Sequence, residues 1–167
     1  MLKKMKAETI IRTFNKNDSD EINRVAVEAF SEFKEKYSDW EYIKKSVGSM
    51  AELDRNADIV IAEINKCVVG GVALVFPGKD KNKNIEKSWA TIRVLVVSPN
   101  HRSKGVAKKL TLECLKLAKQ KGYSCIGLYT SPIMTVAIRM YEKIGFKKIK
   151  SIGLICGVEY DLYNIKV

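Results

Sequence analysis

The run Val94-Leu95-Val96-Val97-Ser98-Pro99-Asn100-His101-Arg102-Ser103-Lys104-Gly105-Val106-Ala107 decides how the rest of the chain is read. It reads as a buried strand, a tight turn and a glycine-loosened helix start, with an amphipathic run continuing to Lys121. The first N–H groups of a helix have no intrahelical partner, and the helix dipole adds partial positive charge there. Such a terminus suits phosphate. Gly105 has no side chain to keep an anion off the backbone, Ala107 is small for the same reason, and Arg102 and Lys104 add formal charge.

Upstream of this stretch, residues 9–14 (TIIRTF) read as an edge strand and Asn17-Asp18-Ser19-Asp20 as a helix start. Asp18 with Glu21 three residues on has the form of a capping box. Ile22, Val25, Ala26, Ala29, Phe30 and Phe33 then place an amphipathic helix to about Lys36, and a second helical stretch runs from about Asp39 to Leu53. Residues 58–63 (DIVIAE) and 67–76 (CVVGGVALVF) are two strands joined by a hairpin turn at Asn65-Lys66. The pair Gly70-Gly71 inside the second strand signals a bulge or a close backbone approach. Residues 77–87 form a polar loop.

Downstream, Gly122 stops the long helix, residues 124–129 form a strand, and a short helix runs from about Met134 to Lys143. Strands through Ile149 and over residues 158–165 close the chain. The order β-α-α-β-β-β-α-β-α-β-β predicts one mixed α/β sheet of six or seven strands with helices on both faces, in a single domain spanning 1–167.

At 167 residues the chain can bury a substantial core, and 46% hydrophobic with 29% charged residues is globular composition. No segment approaches the roughly 20 apolar residues of a membrane span. Residues 1–6 are basic with no apolar stretch behind them, so no secretory leader is expected. Cys67, Cys114, Cys125 and Cys156 are widely spaced and read as buried thiols, which suggests a reducing, cytoplasmic setting and no metal. The net charge of +11 is uneven, because residues 1–60 are nearly neutral and the excess of Lys and Arg falls after them. A positive field steers polyanions, and on charge alone a nucleotide cofactor and a nucleic acid both remain open.

Arg102-x-x-Gly105-x-Ala107 resembles the (Arg/Gln)-x-x-Gly-x-(Gly/Ala) signature of the GCN5-related N-acetyltransferases, the GNAT superfamily. Ala137-Ile138-Arg139-Met140-Tyr141-Glu142-Lys143-Ile144-Gly145-Phe146 resembles the same superfamily's Ala-x-x-x-Tyr-x-x-x-Gly-Phe segment. With their flanking elements the two signatures cover about residues 89–150, the expected coenzyme-A-binding core.

The resemblance implies a GNAT-like, mostly antiparallel sheet and transfer of an acetyl group from acetyl-CoA to a primary amine by direct attack in a ternary complex. It places the pyrophosphate on Arg102, Ser103, Lys104, Gly105, Val106 and Ala107. It lays the pantetheine arm along Leu95, Val96 and Val97, with a backbone N–H near Val96 available to the oxyanion. It makes Tyr141 the general acid that protonates the leaving thiolate.

The positions where relatives carry a catalytic glutamate hold Thr91 and Tyr129, and Met134 stands where an asparagine contacts the cofactor. Glu86 and the N-terminal acids are the remaining carboxylates for a base, and solvent is another proton acceptor. His101, the single histidine, reads as part of the turn. Glu28, Glu32, Glu35 and Asp39 line one side of the first helix, either as a solvated face or as an attraction for a cationic amine. The implied partners are an amine acceptor, small molecule or peptide, with no membrane and no nucleic acid as the main partner, and the chain acts as a monomer or homodimer. An acyl-CoA-binding sensor with little catalysis and a basic nucleic-acid-binding module are the alternatives.

Overall fold

A computed structural model describes residues 7–167; the basic hexapeptide read as no leader lies outside them. The first strand, β1 (Ile10–Thr13), is followed by α1 (Ser19–Phe30) and α2 (Trp40–Val47), then by β2 (Ala57–Ile64), β3 (Cys67–Val75) and β4 (Ala90–Val97). The remaining elements are α3 (Val106–Gln120), β5 (Cys125–Thr130), α4 (Thr135–Ile144), β6 (Lys147–Ile155) and β7 (Val158–Lys166). This is the expected order. The strands form one seven-stranded sheet in the order β1-β2-β3-β4-β5-β7-β6. Every pairing is antiparallel except β4 with β5.

Two apolar layers hold the helices to the sheet. On one face Leu110, Cys114 and Ala118 of α3 and Tyr141 of α4 pack with Ile92, Ile126 and Leu128. On the other, Ile22, Val25, Ala26 and Ala29 of α1 and Ile43 and Val47 of α2 pack with Ile59, Ile61, Ala73 and Val96. Strand residues alternate between the two layers, so nearly continuous apolar runs such as β3 are buried on both sides.

Local chemistry shortened the predicted helices. The Ser31 hydroxyl donates to the Glu28 carbonyl at 2.7 Å, and α1 gives way to a 3₁₀ turn over Ser31–Phe33. Beyond α2, Ser49 donates back to the Lys45 carbonyl, and the Asn23 amide oxygen takes the Ala51 N–H at 2.9 Å. The chain continues there as a 3₁₀ segment, Met50–Arg55. The capping box sits three residues earlier than expected, on Asn15 and Asp18, where it caps a 3₁₀ turn over Lys16–Asp18 ahead of α1, and Asp18 accepts both the Asn15 N–H and a two-pronged bond from Arg12. Strand β6 runs on past Ile149 to Ile155, since Ser151 and Gly153 sit at register shifts rather than at a break. Cys114 and Cys125 are buried as expected, whereas Cys67 is exposed at the start of β3 and Cys156, in the turn between β6 and β7, is half-buried.

Candidate active site

The site begins where β4 leaves β5. The two strands pair only at Ala90 with Ile126 and Thr91 with Gly127. Beyond Thr91, β4 stays on β3 while β5 follows β7. One edge of β4 is therefore open. Val96's carbonyl is turned to β3, where a methyl on Gly70 would lie 2.7 Å from its oxygen, and the Ser98 N–H donates to the Val69 carbonyl. Backbone groups alternate along a strand, so Leu95 and Val97 present theirs to the open edge and Val96 does not. The close approach at Gly70 is the physical content of the Gly70-Gly71 signal.

A bulge sharpens the splay. Gly71 pairs with Val96 and Ala73 with Arg93, so Val94 and Leu95 together oppose Val72. Val94 has φ of 52°, a strained conformation for a β-branched residue. The bulge turns Arg93 and Val94 to the α1/α2 face and lets Leu95 face α3.

Strand β4 ends at Val97, and a 3₁₀ turn over Pro99–His101 leads into α3. Ser103 and Gly105 both have positive φ, 61° and 77°, which curls the backbone into a concave turn. No side chain caps α3, and its first helical bond runs from the Lys109 N–H to the Gly105 carbonyl. Ser103, Lys104 and Gly105 are exposed, whereas Val106 is buried beneath the turn and Ala107 is half-buried. A Cβ at Gly105 would meet nothing within 4 Å. The Arg102 guanidinium is directed to α1, where it bonds Glu32 at 2.8 Å and the Ala29 carbonyl at 3.1 Å. It thereby ties the turn to the first helix.

A cavity of about 260 Å³ occupies the splay. Tyr141 reaches it from α4, Leu95 and Arg93 from β4, and Tyr129 from β5. Tyr141 is 5% exposed and its ring meets that of Phe146 edge to face at 5.5 Å. Burial, with a smaller contribution from Cys114, raises the Tyr141 hydroxyl above the ordinary tyrosine range and keeps it protonated. The Tyr129 hydroxyl is pushed up to about 12 by burial, against the lowering charge of Arg93. Thr91 is fully buried and its hydroxyl has no partner among the described residues.

Three of the four acids in the Glu28, Glu32, Glu35 and Asp39 set have partners: Glu32 pairs with Arg102, Glu28 with Arg24, and Asp39 caps α2 through the Tyr42 N–H. His101 sits in the turn after β4, with its N–H on the Ser98 carbonyl. Glu86 is exposed in the β3–β4 loop. Arg93 and Asp80 were missed by the sequence reading, since neither falls within a signature. Asp80 lies outside any periodic pattern, and the strand alternation that would place Arg93 is reset by the bulge at Val94.

A model of the acetyltransferase (GNAT) family matches residues 19–146, from α1 through Phe146. The chain belongs to that family. It is 35% identical over 94 residues to N-acetyltransferase 8 of Mus musculus, a match covering 56% of this chain and 40% of that relative. It is 29% identical over 99 residues to acetyltransferase Atu2258 of Agrobacterium fabrum, covering 59% and 64%. The matches thus cover less than two thirds of the length of these curated relatives, 40% of the first and 64% of the second. Among solved structures it resembles the PaiA N-acetyltransferase of Thermoplasma acidophilum in complex with coenzyme A, with TM-score 0.75, 21% identity and coverage of 96% and 99%. YncA, a putative acetyltransferase from Salmonella typhimurium with its cofactor acetyl-CoA, superposes with TM-score 0.70 at 15% identity, covering 95% and 93%. These likenesses establish the GNAT fold. Among the described residues no helix is long and apolar enough to cross a membrane, and no cluster of His, Cys, Asp and Glu could hold a metal ion.

Proposed function

We propose that this GNAT protein transfers the acetyl group of acetyl-CoA to a primary amine by direct attack in a ternary complex. One observation carries the reading: the open edge of β4 runs into an uncapped, concave helix start, and the cavity beside that edge is lined by a protonated tyrosine. The empty space around Gly105 and the free N–H groups at the start of α3 fit a pyrophosphate, with Ser103, Lys104, Val106 and Ala107 completing the turn and Arg102 anchoring it. Leu95 and Val97 pair with pantetheine amides as an added strand would, while Val96 fills the layer beneath.

Acetyl-CoA supplies an activated thioester. The chain's part is to hold, polarise and protonate. The Leu95 N–H, at the bulge and on the open edge, is the donor placed for negative charge developing on the carbonyl oxygen. The amine nitrogen forms the new C–N bond, the C–S bond breaks, and the sulfur takes the proton of Tyr141 Oη. The amine's surplus proton leaves to solvent, and the tyrosinate is reprotonated from solvent. No carboxylate stands at Thr91 or Tyr129 to take that proton.

The test is thermal unfolding with millimolar CoA or acetyl-CoA, followed by thiol release with a panel of amines. A raised melting temperature and amine-dependent thiol are expected. The absence of any shift would overturn the reading, and a shift without turnover on any amine would favour an acyl-CoA-binding sensor.

A further inference from the structure

The β3–β4 loop packs Trp89 and Ile85 over Gly127 of β5, which pairs with Thr91 just before the strands part. The same loop carries Asp80, whose side chain is only 2% exposed. Its Oδ1 accepts the Asn82 N–H at 2.8 Å, and its Oδ2, buried and without a hydrogen bond, faces Arg93 Nη1 at 3.6 Å. The Arg93 guanidinium lies over the Tyr129 ring with Cζ 5.1 Å from its centroid. Arg93 is thus held from two sides, by a charge just beyond hydrogen-bond reach and by a ring face. Neither consumes its N–H donors.

Arg93 lines the splay cavity and is the one residue among those described there that carries a formal charge. The rest of the wall is mostly apolar or aromatic, including Phe30, Tyr42, Ile155 and Tyr160, with the hydroxyls of Ser46 and Thr130. A guanidinium has five donors in a fixed fork, and the Arg93 side chain, 28% exposed, keeps them open to a ligand in the cavity. A carboxylate matches that fork with two parallel bonds. Arg93 sits two residues before Leu95, and a strand advances about 3.3 Å per residue. Their backbones are therefore about 7 Å apart, and both residues border the same cavity, so one small molecule can touch the Arg93 fork and reach the open edge.

We propose that Arg93, held by Asp80 and Tyr129, is the acceptor-recognition residue, and that the acceptor is an amine bearing a carboxylate on an apolar body, of the amino-acid class. This rests on the acetyl-transfer reading and narrows it. Polyamines and other polycations are disfavoured, because the cleft meets them with a positive charge.

The experiment compares phenylalanine with phenylalaninamide, which differ at the carboxylate, by calorimetric binding to the full chain saturated with CoA. Wild type is expected to bind the acid at least tenfold more tightly than the amide. Arg93→Gln is expected to bring the ratio near one, and Arg93→Lys to leave it in between. Asp80→Asn, which touches no acceptor, lowers the ratio by loosening Arg93. Equal binding of acid and amide to wild type, binding of neither, or an unchanged ratio in Arg93→Gln overturns the proposal. The wild-type ratio decides even where a variant does not fold. A normal CoA-induced thermal shift with no acid preference sinks this inference alone, whereas loss of the shift strikes the acetyl-transfer reading.

Discussion

Gly105 and Gly122 bracket α3, and the two offer a matched experiment. Both have left-handed backbones, φ of 77° and 74°, and a Cβ at either would meet nothing within 4 Å. Alanine at each position therefore incurs the same local strain, about 1–2 kcal/mol, and no clash with the protein itself. For a domain of this size that lowers the melting temperature by roughly 2–8 °C in both variants. They differ in what the empty space is for. The Gly105 methyl projects from the proposed phosphate turn, while Gly122 closes the far end of the helix. At CoA one hundred times its dissociation constant, wild type gains about 2.7 kcal/mol; a tenfold loss of affinity cuts that to about 1.4 kcal/mol. The assay is thermal unfolding of wild type, Gly105→Ala and Gly122→Ala with and without CoA. Without CoA the two variants should melt together, and with CoA only Gly122→Ala should recover the full wild-type shift. A full shift in Gly105→Ala would refute the assignment of the turn. A much larger loss in Gly105→Ala without ligand would show the turn to be a structural element instead.

Three further outcomes follow from the same geometry. Tyr141→Phe removes the proposed acid without emptying the space, so thiol release should fall about 100-fold or more while the CoA-induced shift stays within error; a change below threefold would remove Tyr141 from the chemistry. Burial raises the folded-state pKa of Tyr129, Tyr141 and Tyr160 above the unfolded value near 10. The stability they contribute is fully present below about pH 10 and is lost as pH climbs through the folded values, so urea midpoints should hold from pH 8 to 9 and drop by pH 11. A midpoint still flat at pH 11 would contradict the burial of these hydroxyls. At the other end of the sheet, Arg12 and the Asn15 N–H hold the Asp18 carboxyl below the usual carboxylate range, Arg12 being the stronger influence. Its stabilisation is present at neutral pH and lost as pH falls through that lowered value, and Asp18→Asn should cost about 1.5–3 kcal/mol in denaturant unfolding at pH 7, with little left of that difference in strong acid.

The sequence by itself determined the elements and the two signatures. Period-2 and period-3.6 patterns are local, so β2, β3, α3 and the α4 segment ending at Gly145-Phe146 were legible to within a residue or two. The positive-φ turn at Gly105 was legible because glycine is where such a backbone is tolerated without strain. Helix ends at Phe30 and Val47 were not, because they depend on where Ser31 and Asn23 find partners. The tertiary structure alone decided the cleft. Val94 is an ordinary strand residue in sequence, and its φ of 52° arises because β4 must follow β3 while turning away from β5. That one extra residue shifts the alternation and thereby selects which backbone groups face the open edge and which side chain, Arg93, faces the cavity on the α1/α2 side. Arg102 carries the signature, yet its side chain is claimed by Glu32, 70 residues away. Asp80 meets Arg93 across a polar loop with no periodic pattern. Such pairings join residues distant in sequence, and no local pattern encodes them.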